Sequence, residues 1–394
     1  MATTQNTHEI LILGGHHAGV NTAHYLLRHI IPTLSKQTPS TSYHVTMVCP
    51  NKEYYWNIAA PRHLVDDTQI PLAKIFLSIV NAFRPYKKEQ FSKTVGKAVG
   101  LDEERKEVKI QIGPNETRNI KYSSLVVATG ASYKSALWQV NDSDDATKNE
   151  FTAMRKALAT AKTAFIAGGG PLGVETAGEI SSKHPSITTT LLSGSKNLLT
   201  RLSASTSATA EWRLNNLGVK TLHDVRVASQ SKNADGSTSL TLTDNSTRNV
   251  DVYIDATGGR PNTSFCPTSW LSPSGHVLTD SQTLRSTVQN GIYAIGDAAS
   301  YSNGSIIAAN GGVAPVATSI GIDIAKQEGI EGLFKQKVYK EMKDTQFVPI
   351  GPNGGVGQVA GWGVPSLMVW AIKGRSFFVG MAEGAVNGGS FKKA

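Results

Sequence analysis

The stretch ILILGGHHAG, residues 10–19, runs from a short apolar segment into a glycine-rich loop, and TAFIAGGGPLG, residues 163–173, repeats this arrangement. Apolar residues at helical spacing follow each loop, which predicts a strand, a tight loop and a helix in both places. The first helix is expected to end at Pro32 and the second to run through Ile180. The loops start 154 positions apart (168 − 14), too far for two halves of one unit, so we predict two dinucleotide-binding domains.

Glycines at fixed positions give such loops their chemistry. In a GxGxxG loop the first glycine permits a sharp turn, the second lets a pyrophosphate approach the backbone, and the third lets helix and strand pack closely. The N–H groups at the helix N-terminus then face the phosphates. The second copy has the full pattern at Gly168, Gly170 and Gly173, whereas the first has His16 where the second glycine is expected.

Three further segments favour an α/β fold with two sheets. LVVATGA, residues 125–131, and VYIDATGGRPN, residues 252–262, each lead from a strand into Ala-Thr-Gly, which we interpret as points where the chain crosses between the sheets. NGIYAIGDAA, residues 290–299, ends a buried type of strand just before Asp297. Asp297 is suited to a ribitol hydroxyl, and the alternative is that it only caps the following helix.

Composition narrows the classes of function. The net charge of +9 comes from 39 basic and 30 acidic residues that are scattered, which argues against a nucleic-acid partner and fits anionic cofactors or an anionic membrane surface. No run approaches about 18 apolar residues and the N-terminus is polar, so we expect an intracellular protein without a membrane span or secretory signal. Cys49 and Cys266 form no CxxC pair and no zinc pattern, so redox chemistry is expected to belong to a cofactor.

Taken in order along nearly the whole chain, these motifs resemble the flavoproteins with two dinucleotide-binding domains, of the pyridine nucleotide-disulfide reductase type. The nearer resemblance is to the apoptosis-inducing-factor-like branch that contains ferroptosis suppressor protein, in particular its fungal members. It is carried by WNIAAPR (residues 56–62), GGGPLGVETAGEI (residues 168–180), NGIYAIGDAA and GPNGGVGQVAGWGVPSLMVWAIKGRSFF (residues 351–378).

The resemblance implies a domain organisation. A FAD-binding domain would comprise residues 1–130 and 258–340, with an inserted NAD(P)H-binding domain at residues 131–257. A small C-terminal subdomain would comprise residues 341–394. The expected fold class is therefore α/β, with two Rossmann-like domains and this subdomain.

The resemblance also implies roles for individual residues. Those expected to contact FAD are Gly14, Gly15, His16, His17, Ala18 and Gly19 of the first loop, Arg62 of the AAPR motif, Ala98 on the adenine side, and Asp297. Those expected to contact NAD(P)H are Gly168, Gly170 and Gly173 of the second loop and, near the nicotinamide carboxamide, Glu175. The alternative for Arg62 is a surface ion pair with Asp66 or Asp67. No metal ligand and no catalytic side chain is implied, because the flavin carries the chemistry.

The chain departs from the family pattern in three places. CPN at residues 49–51 stands where an acidic residue usually binds the FAD ribose. The matching segment of the second domain offers Ser195, Lys196 and Arg201 instead of a carboxylate, which predicts that NADPH is accepted at least as well as NADH. The chain begins Met-Ala-Thr-Thr, without a glycine acceptor for myristate, so lipid anchoring is not expected.

The implied reaction is hydride transfer from NAD(P)H to FAD, followed by electron transfer to a quinone-like or other small acceptor. The protein is expected in the cytoplasm or at the periphery of an organelle membrane, where apolar residues of the segment 365–379 would form either a membrane patch or subdomain core. Candidates for lining the acceptor site, or else for packing, are Trp56, residues 310–316, Val356, Gln358 and Trp362.

Two other functions stay open: a FAD-dependent tailoring oxidoreductase of a specialised aromatic metabolite, and a non-redox binding protein of the apoptosis-inducing-factor type.

The adjacent histidines of the first loop raise a separate question. Neighbouring residues at a strand-to-helix turn point in different directions, and no third ligand is near in sequence, which argues against a metal. His16 is expected either to push FAD outward or to place a ring nitrogen on a phosphate oxygen. His17 is expected to face the flavin-side cavity or the packed helix.

Overall fold

The computed structural model describes residues 6–140, 142–342 and 345–394. The helices are α1 (His17–Tyr25), α2 (Ile31–Gln37), α3 (Ala60–Val65), α4 (Leu72–Ile75), α5 (Ile79–Ala82), α6 (Asp144–Thr160), α7 (Pro171–Lys183), α8 (Ala204–Asn216), α9 (Ile306–Gln327), α10 (Ser366–Val369) and α11 (Val379–Val386). The strands are β1 (Asn6–Leu13), β2 (Thr41–Cys49), β3 (Glu53–Tyr55), β4 (Phe76–Ser78), β5 (Phe91–Val95), β6 (Lys97–Asp102), β7 (Glu107–Gln111), β8 (Thr117–Lys121), β9 (Ser124–Val127), β10 (Ala131–Ser132), β11 (Thr163–Ala167), β12 (Thr188–Leu192), β13 (Lys220–Leu222), β14 (Val227–Lys232), β15 (Thr238–Leu242), β16 (Thr247–Val250), β17 (Val252–Asp255), β18 (Arg260–Pro261), β19 (Ile292–Ala294), β20 (Gln346–Pro349), β21 (Gly355–Val359) and β22 (Trp362–Val364).

The first sheet is parallel, with the strand order β19, β9, β1, β2, β5. β1 lies in its middle, where Ile10 pairs with Val45 on one side and with Ser124 on the other. Ile10 and Ile12 are fully buried, as expected for a parallel sheet covered on both faces. The carboxyl ends of these strands meet at one edge, and the loop 14–19 begins there.

The second sheet is also parallel, with the order β13, β12, β11, β17. Ala167 at the end of β11 pairs with Leu192 and with Asp255, and the loop 168–173 leaves this edge as the loop 14–19 leaves the first. The prediction of an α/β fold with two Rossmann-like units is confirmed. The residue limits of the three domains stay a prediction.

The two Ala-Thr-Gly segments lie where the chain passes between the sheets, as predicted. β10 and β18 follow them and pair antiparallel, with Ala131 opposite Pro261. The amide nitrogen of Asn262 donates to the Gly130 oxygen at 2.9 Å, and its side-chain Nδ2 donates to the Thr129 oxygen at 3.0 Å. This short ribbon ties the two crossings together.

The helix after the first loop does not end at Pro32. α1 continues through a π turn at Leu26–Ile30 into α2, which holds Pro32 in its first turn. Proline lacks the N–H of a normal helical bond, and its ring clashes with the carbonyl four residues earlier. The wider π turn just before Pro32 relieves this conflict, so the helical segment reaches Gln37.

The C-terminal part combines the antiparallel sheet β20, β21, β22 with α10, a π turn at Trp370–Gly374, and α11. Its end is bound to the first domain by side chains from α1 and the π turn that follows it. Arg28 Nη1 donates to the Gly388 oxygen at 2.6 Å, and His24 Nε2 contacts the Val386 oxygen at 2.9 Å.

One helix of the described chain, α9, is long and apolar enough by length and composition to cross a membrane. It packs against α1, and 61% of its most apolar window is buried within the protein. The core helix of a globular domain meets the same criterion.

Candidate cofactor site

Three glycines of the first loop have no room for a side chain. Gly14 has a φ of +126°, and a Cβ there would lie 2.0 Å from the carbonyl oxygen of Ala128. A Cβ on Gly15 would lie 2.3 Å from the Cys49 Sγ, and one on Gly19 would lie 2.0 Å from the Gly14 oxygen. The loop therefore packs with its backbone directly against the ends of β2 and β9.

The second loop repeats this geometry. A Cβ on Gly168, whose φ is +124°, would lie 2.4 Å from the Ala256 oxygen, and one on Gly173 would lie 1.8 Å from the Gly168 oxygen. Gly170 differs, because no heavy atom of the described residues lies within 4 Å of a Cβ built there. The second glycine position is sterically open, which explains how His16 can occupy it in the first loop.

Two adjoining cavities extend from these loops. The larger, of about 400 Å³, is called the loop cavity and is lined by residues 13–16, the end of β2, residues 96–98 and residues 128–133. The smaller, of about 290 Å³, is called the junction cavity and lies between residues 16–18 and the first turns of α7. His16, Tyr133 and Asp297 border both. Together the two cavities extend from the first glycine loop to Pro171 and Leu172 of the second, as a site for two dinucleotides would.

The His16 ring is turned away from a phosphate-binding role. Its Nε2 lies 2.5 Å from the carbonyl oxygen of Tyr55, and the ring stacks on Tyr54. Burial lowers the pKa of His16, so the ring is neutral. A carbonyl only accepts, so Nε2 carries the single proton and Nδ1 is an acceptor. A neutral His16 in this position cannot donate a hydrogen bond to a phosphate oxygen.

His17 borders the junction cavity and also contacts the packed helix. Its Nε2 lies 2.6 Å from Asn310 Oδ1 on α9, and its Nδ1 lies 2.6 Å from the hydroxyl of Tyr54. Burial lowers the pKa of His17 to about 4. The amide oxygen accepts, so Nε2 carries the proton and Nδ1 accepts from the tyrosine.

Ala98 and Asp297 both line a cavity at the first glycine loop, and their contacts with FAD stay predictions. Ala98 on β6 lines the loop cavity, and Asp297 borders both cavities just beyond β19. Burial raises the pKa of Asp297. The next helix, α9, is capped by Ser305, whose hydroxyl accepts from the Ala308 amide, so Asp297 does not serve as its cap.

The second loop leads into a helix with two buried carboxylates one turn apart, Glu175 and Glu179 on α7. Lys373 Nζ donates to Glu175 Oε1 at 2.5 Å, and both side chains line the junction cavity. Burial raises the pKa of Glu175, and the ammonium of Lys373 opposes that shift. This pair offers a donor and an acceptor at the place where the two loops face each other.

Arg62 lines neither of the two cofactor cavities, and its expected contact with FAD stays a prediction. Its guanidinium forms a two-point ion pair with Glu179, with Nη2 2.8 Å from Oε1, and Nη2 also donates to the Gly374 oxygen. The side chain is buried and lines neither cavity. The alternative of a surface ion pair with Asp66 or Asp67 is wrong, because Lys183 binds Asp66 and Arg155 binds Asp67. α7 brings a closer carboxylate from a distant part of the chain.

The segment after β12 has cationic side chains, as the sequence suggested. Lys196 is exposed, whereas Arg201 Nη1 donates to the Asn303 oxygen at 2.8 Å. Arg226 was not foreseen: it is exposed, and its Nη2 donates to the Gly194 oxygen at 3.1 Å. Arg201 is exposed too, so the structure adds Arg226 as a third exposed cation to Lys196 and Arg201, and the use of NADPH stays a prediction.

The residues suggested for the acceptor site do not border the two cavities; they are Trp56, residues 310–316, Val356, Gln358 and Trp362. Residues 310–316 lie inside α9, and Val356 and Gln358 are buried in the C-terminal part. Trp56 is also buried, and its Nε1 donates to the Phe377 oxygen at 3.0 Å. The burial of Trp56, Val356 and Gln358 fits the packing alternative. Trp362 is instead exposed on the surface.

The two cysteines of the chain do not form a redox-active pair. Cys49 and Cys266 are free and buried, and burial raises the pKa of their thiols to about 11 and about 12. Neither is a thiolate at neutral pH. Over the residues that the structure describes, no three His, Cys, Asp or Glu side chains lie close enough to hold a metal ion.

Lys373 and Tyr54 join the site without having been foreseen, whereas Asn310, which contacts His17, belongs to the segment 310–316 suggested from the sequence. Lys373 lies 198 positions from Glu175, so no local pattern connects them. One signal was available: Glu175 and Glu179 stand four apart on a helix of small and apolar residues. Two carboxylates on a buried face require buried cations.

The chain matches the sequence model of the pyridine nucleotide-disulphide oxidoreductase family over residues 8–321. Oxidoreductase phnG from Penicillium herquei is 33% identical over 416 residues, which cover 99% of either chain. Oxidoreductase ptaL from Pestalotiopsis fici is 35% identical over 294 residues, covering 73% of this chain and 76% of its own. Ferroptosis suppressor protein 1 from Homo sapiens is 26% identical over 379 residues, covering 94% of this chain and 93% of its own.

Solved structures share the architecture. NDH2 from Plasmodium falciparum superposes with a TM-score of 0.66 at 16% identity, covering 96% of this chain and 97% of its own. The NAD-dependent persulfide reductase from A. fulgidus gives a TM-score of 0.67 at 17% identity, covering 89% of this chain but only 63% of its own. At these identities the likeness shows the fold alone. With the family match over residues 8–321 and the full-length similarity to phnG, the chain belongs to the pyridine nucleotide-disulphide oxidoreductase family and is a FAD-dependent NAD(P)H oxidoreductase.

Proposed function

We propose that the protein passes two electrons from NAD(P)H by way of FAD to a quinone-like aromatic acceptor, and that it belongs to the apoptosis-inducing-factor-like branch. The junction cavity carries this proposal, because dinucleotides on the two loops would meet there. The 26% identity to human ferroptosis suppressor protein 1 over 94% of the chain supports the branch.

The residues of the loop cavity fit FAD. The backbone of Gly14–Gly19 would hold the pyrophosphate at the N-terminus of α1, since side chains are excluded at Gly14, Gly15 and Gly19. The buried carboxylate of Asp297 would accept from ribitol hydroxyls. When bound, FAD supplies the hydride and electron chemistry.

The second loop and the Glu175–Lys373 pair would bind NAD(P)H. The backbone at Gly168–Gly173 would hold its pyrophosphate at the N-terminus of α7. A carboxamide has both a donor and an acceptor, and Glu175 can accept while Lys373 donates. These contacts would fix the nicotinamide in the junction cavity and leave the reacting carbon free.

The acceptor would react without a protein thiol relay. Cys49 and Cys266 are buried, and the raised pKa of each keeps it protonated. In the overall reaction, NAD(P)H, one proton and a quinone give NAD(P)⁺ and a hydroquinone. The hydride supplies two electrons and one proton, and solvent supplies the second proton.

Flavin absorbance and turnover test the proposal. The purified holoprotein should show flavin absorbance that NADPH or NADH bleaches without oxygen and that a small panel of quinones restores. Protein that remains colourless after FAD addition would favour a binding role instead. Flavin that is bleached but restored only by oxygen would contradict a quinone-like acceptor.

A second candidate function is a FAD-dependent tailoring oxidoreductase acting on a specialised aromatic metabolite. The observation in its favour is that the fungal oxidoreductases phnG and ptaL are more similar to the chain than ferroptosis suppressor protein 1 is. The quinone panel separates the two functions. A general reductase should accept many quinones, whereas a tailoring enzyme should discriminate strongly among them.

Contact with a membrane surface is proposed for the C-terminal part. Residues 345–372 contain no charged residue, and Leu367 and Met368 of α10 are exposed, as is Trp362. The segment 365–379 therefore contributes to both the surface and the core, because Val369 is fully buried. The positive net charge favours an anionic surface. The holoprotein should sediment with anionic vesicles, and a variant with Leu367→Asp and Met368→Asp should not.

A further inference from the structure

A groove separate from the loop and junction cavities lies between α4 and α11. We call it the C-terminal groove. Its volume is about 410 Å³, which is within the range of small-molecule sites. Ile70, Leu77 and Val379 form apolar parts of its wall, and Lys74 and Arg375 border it.

One segment of chain contributes residues to both the C-terminal groove and the junction cavity. Lys373 borders the junction cavity, whereas Arg375 borders the groove. Phe377 is fully buried, and its ring centre lies 5.0 Å from the Arg62 guanidinium and 5.9 Å from Lys373 Nζ. The turn around Phe377 therefore belongs to the segment that borders both the groove and the cofactor site.

This turn has a strained backbone. Phe377 and Phe378 have φ values of +48° and +57°, in the left-handed region that residues with a Cβ avoid. Two such aromatic residues in succession persist only where surrounding contacts hold them. The hydrogen bond from Trp56 Nε1 to the Phe377 oxygen is one of these contacts.

The charges of the groove indicate what it binds. In the described part of the chain, Lys74 and Arg375 form no ion pair within 4.0 Å, even with Glu383, which also borders the groove. Arginine recognises phenolate and carboxylate oxygens through paired N–H donors. The apolar wall can take up an aromatic ring while these cations bind an acidic oxygen.

We propose that the C-terminal groove binds the electron acceptor, and that this acceptor is a planar quinone that also bears an acidic hydroxyl or carboxylate group. Movement of the Phe377 turn gives its ring access to the junction cavity. The inference rests on the proposed function. The acceptor gains two electrons and two protons, of which NAD(P)H supplies the electrons and one proton and solvent the other.

Two glycines of α11 provide a matched test of the groove. No described heavy atom lies within 4 Å of a Cβ built on Gly380 or Gly384, but only Gly380 borders the groove. Gly380→Leu should therefore fill the groove, and Gly384→Leu should not. The probe is 3-hydroxy-2-naphthoate, an aromatic acid that is not a quinone, and its binding to holoprotein is measured by equilibrium dialysis. We expect Gly380→Leu to weaken binding about tenfold. Equal binding by both variants would overturn the groove assignment.

A charge reversal tests the class of acceptor. Arg375→Glu should raise the KM for 2-hydroxy-1,4-naphthoquinone, which is anionic at neutral pH, by about tenfold. The KM for the neutral 2-methyl-1,4-naphthoquinone should change by less than about twofold. Equal effects on both quinones would overturn the acidic class.

Bleaching of the flavin by NADPH in the absence of acceptor distinguishes a failure of the proposed function from a failure of the groove assignment. Holoprotein that is not bleached contradicts the proposed function itself. If both glycine variants are bleached at the wild-type rate and turn over quinones equally, the groove inference fails and the proposed function stands.

Discussion

At position 16 the loop carries an imidazole whose proton is directed at the carbonyl of Tyr55. Since the matching Gly170 has open space around it, the His16 side chain fits there without displacing backbone. We predict that His16→Gly keeps FAD or binds it more tightly, by up to about tenfold, because no phosphate contact is lost and closer approach becomes possible. The dissociation constant of FAD, measured by fluorescence titration of apoprotein, tests this.

The matched control is Gly14→Ala. Its Cβ would lie 2.0 Å from the Ala128 oxygen, so the loop must move and FAD should be lost. Loss of FAD from His16→Gly as well would show that the imidazole is itself a ligand.

The buried pair of Glu175 and Lys373 predicts a strong mutual dependence. Glu175→Gln leaves the ammonium of Lys373 without its counter-ion, and Lys373→Met leaves the carboxylate alone. Each single variant should lose roughly 3 kcal/mol of unfolding free energy, and the double variant should recover much of it. All three should keep FAD, yet NADPH should bleach their flavin about 10 to 100 times more slowly. Wild-type bleaching rates in all three would remove the pair from the nicotinamide site.

The exposed cations after β12 predict a preference for NADPH. Arg226 and Lys196 offer positive charge where a 2′-phosphate would lie. Arg226→Glu should lower kcat/KM for NADPH about tenfold and leave the value for NADH nearly unchanged. A strong preference of the wild-type protein for NADH would refute the prediction.

The glycines of the loops could be predicted because their constraints are local. A tight turn between a strand and a helix admits only glycine at Gly14 and Gly19, and this is visible in the sequence itself. Arg62 could not be placed in this way, because its partner Glu179 is 117 positions away. A buried charge needs an oppositely charged partner, which tertiary folding can bring from any part of the chain. A single sequence does not show which residue that partner is.

At the scale of elements, the hairpin between β21 and β22 provides a clean test of backbone strain. Val359 pairs with Trp362, so Ala360 and Gly361 form a two-residue turn, and their φ values are +49° and +87°. Such a turn favours asparagine over alanine at its first position. Ala360→Asn should raise the unfolding free energy by about 0.5 to 1 kcal/mol.

Urea unfolding measures this effect, with Ala208→Asn as the control. Ala208 is exposed within α8, where asparagine is a poorer helix former, so stability should fall by up to about 0.7 kcal/mol. A decrease for Ala360→Asn too would show that the turn is held by contacts other than its own conformation.

The positions of the glycine loops and sheet crossings were predicted correctly from the sequence. The end of the first helix, which was predicted from a single proline, was not. The sites of both glycine loops and both sheet crossings follow from strand and glycine patterns. Pro32 misled the prediction, because a π turn adjusts to proline in a way that apolar spacing does not reveal. The small C-terminal sheet is set by tertiary contacts, such as the packing of Val369 against Gly355 and Gly357.

At the scale of the whole molecule, the C-terminal part connects the two dinucleotide units. Lys373 binds Glu175 on α7, while Arg28 and His24 hold the chain end against the first domain. The same segment contributes residues to both the junction cavity and the C-terminal groove. The C-terminal part thus supplies a side chain to the cofactor site and contacts the first domain, which neither glycine motif alone would indicate.

The buried histidines of the first domain predict how stability depends on pH. Burial lowers the pKa of His8, His17 and His24 from 6.5 to about 4. Above pH 6.5 all three are neutral whether the chain is folded or unfolded, so their contribution is complete and constant. Between pH 6.5 and 4 the unfolded chain binds protons that the folded chain excludes. Stability should therefore fall as the pH falls, by about 1.4 kcal/mol per pH unit for each histidine.

Urea unfolding of the holoprotein at fixed FAD concentration, between pH 7 and pH 5, measures this slope. His44 acts in the opposite direction, because Glu9 raises its pKa, so its contribution is present below pH 6.5 and declines above it. His24→Gln removes one buried site from the sum, and its slope should be smaller than that of the wild type by about one proton. Because His24 contacts Val386, that variant also reports on the docking of the chain end. A stability that is flat from pH 7 to pH 5, or equal slopes in the two proteins, would mean that these histidines bind protons as readily folded as unfolded.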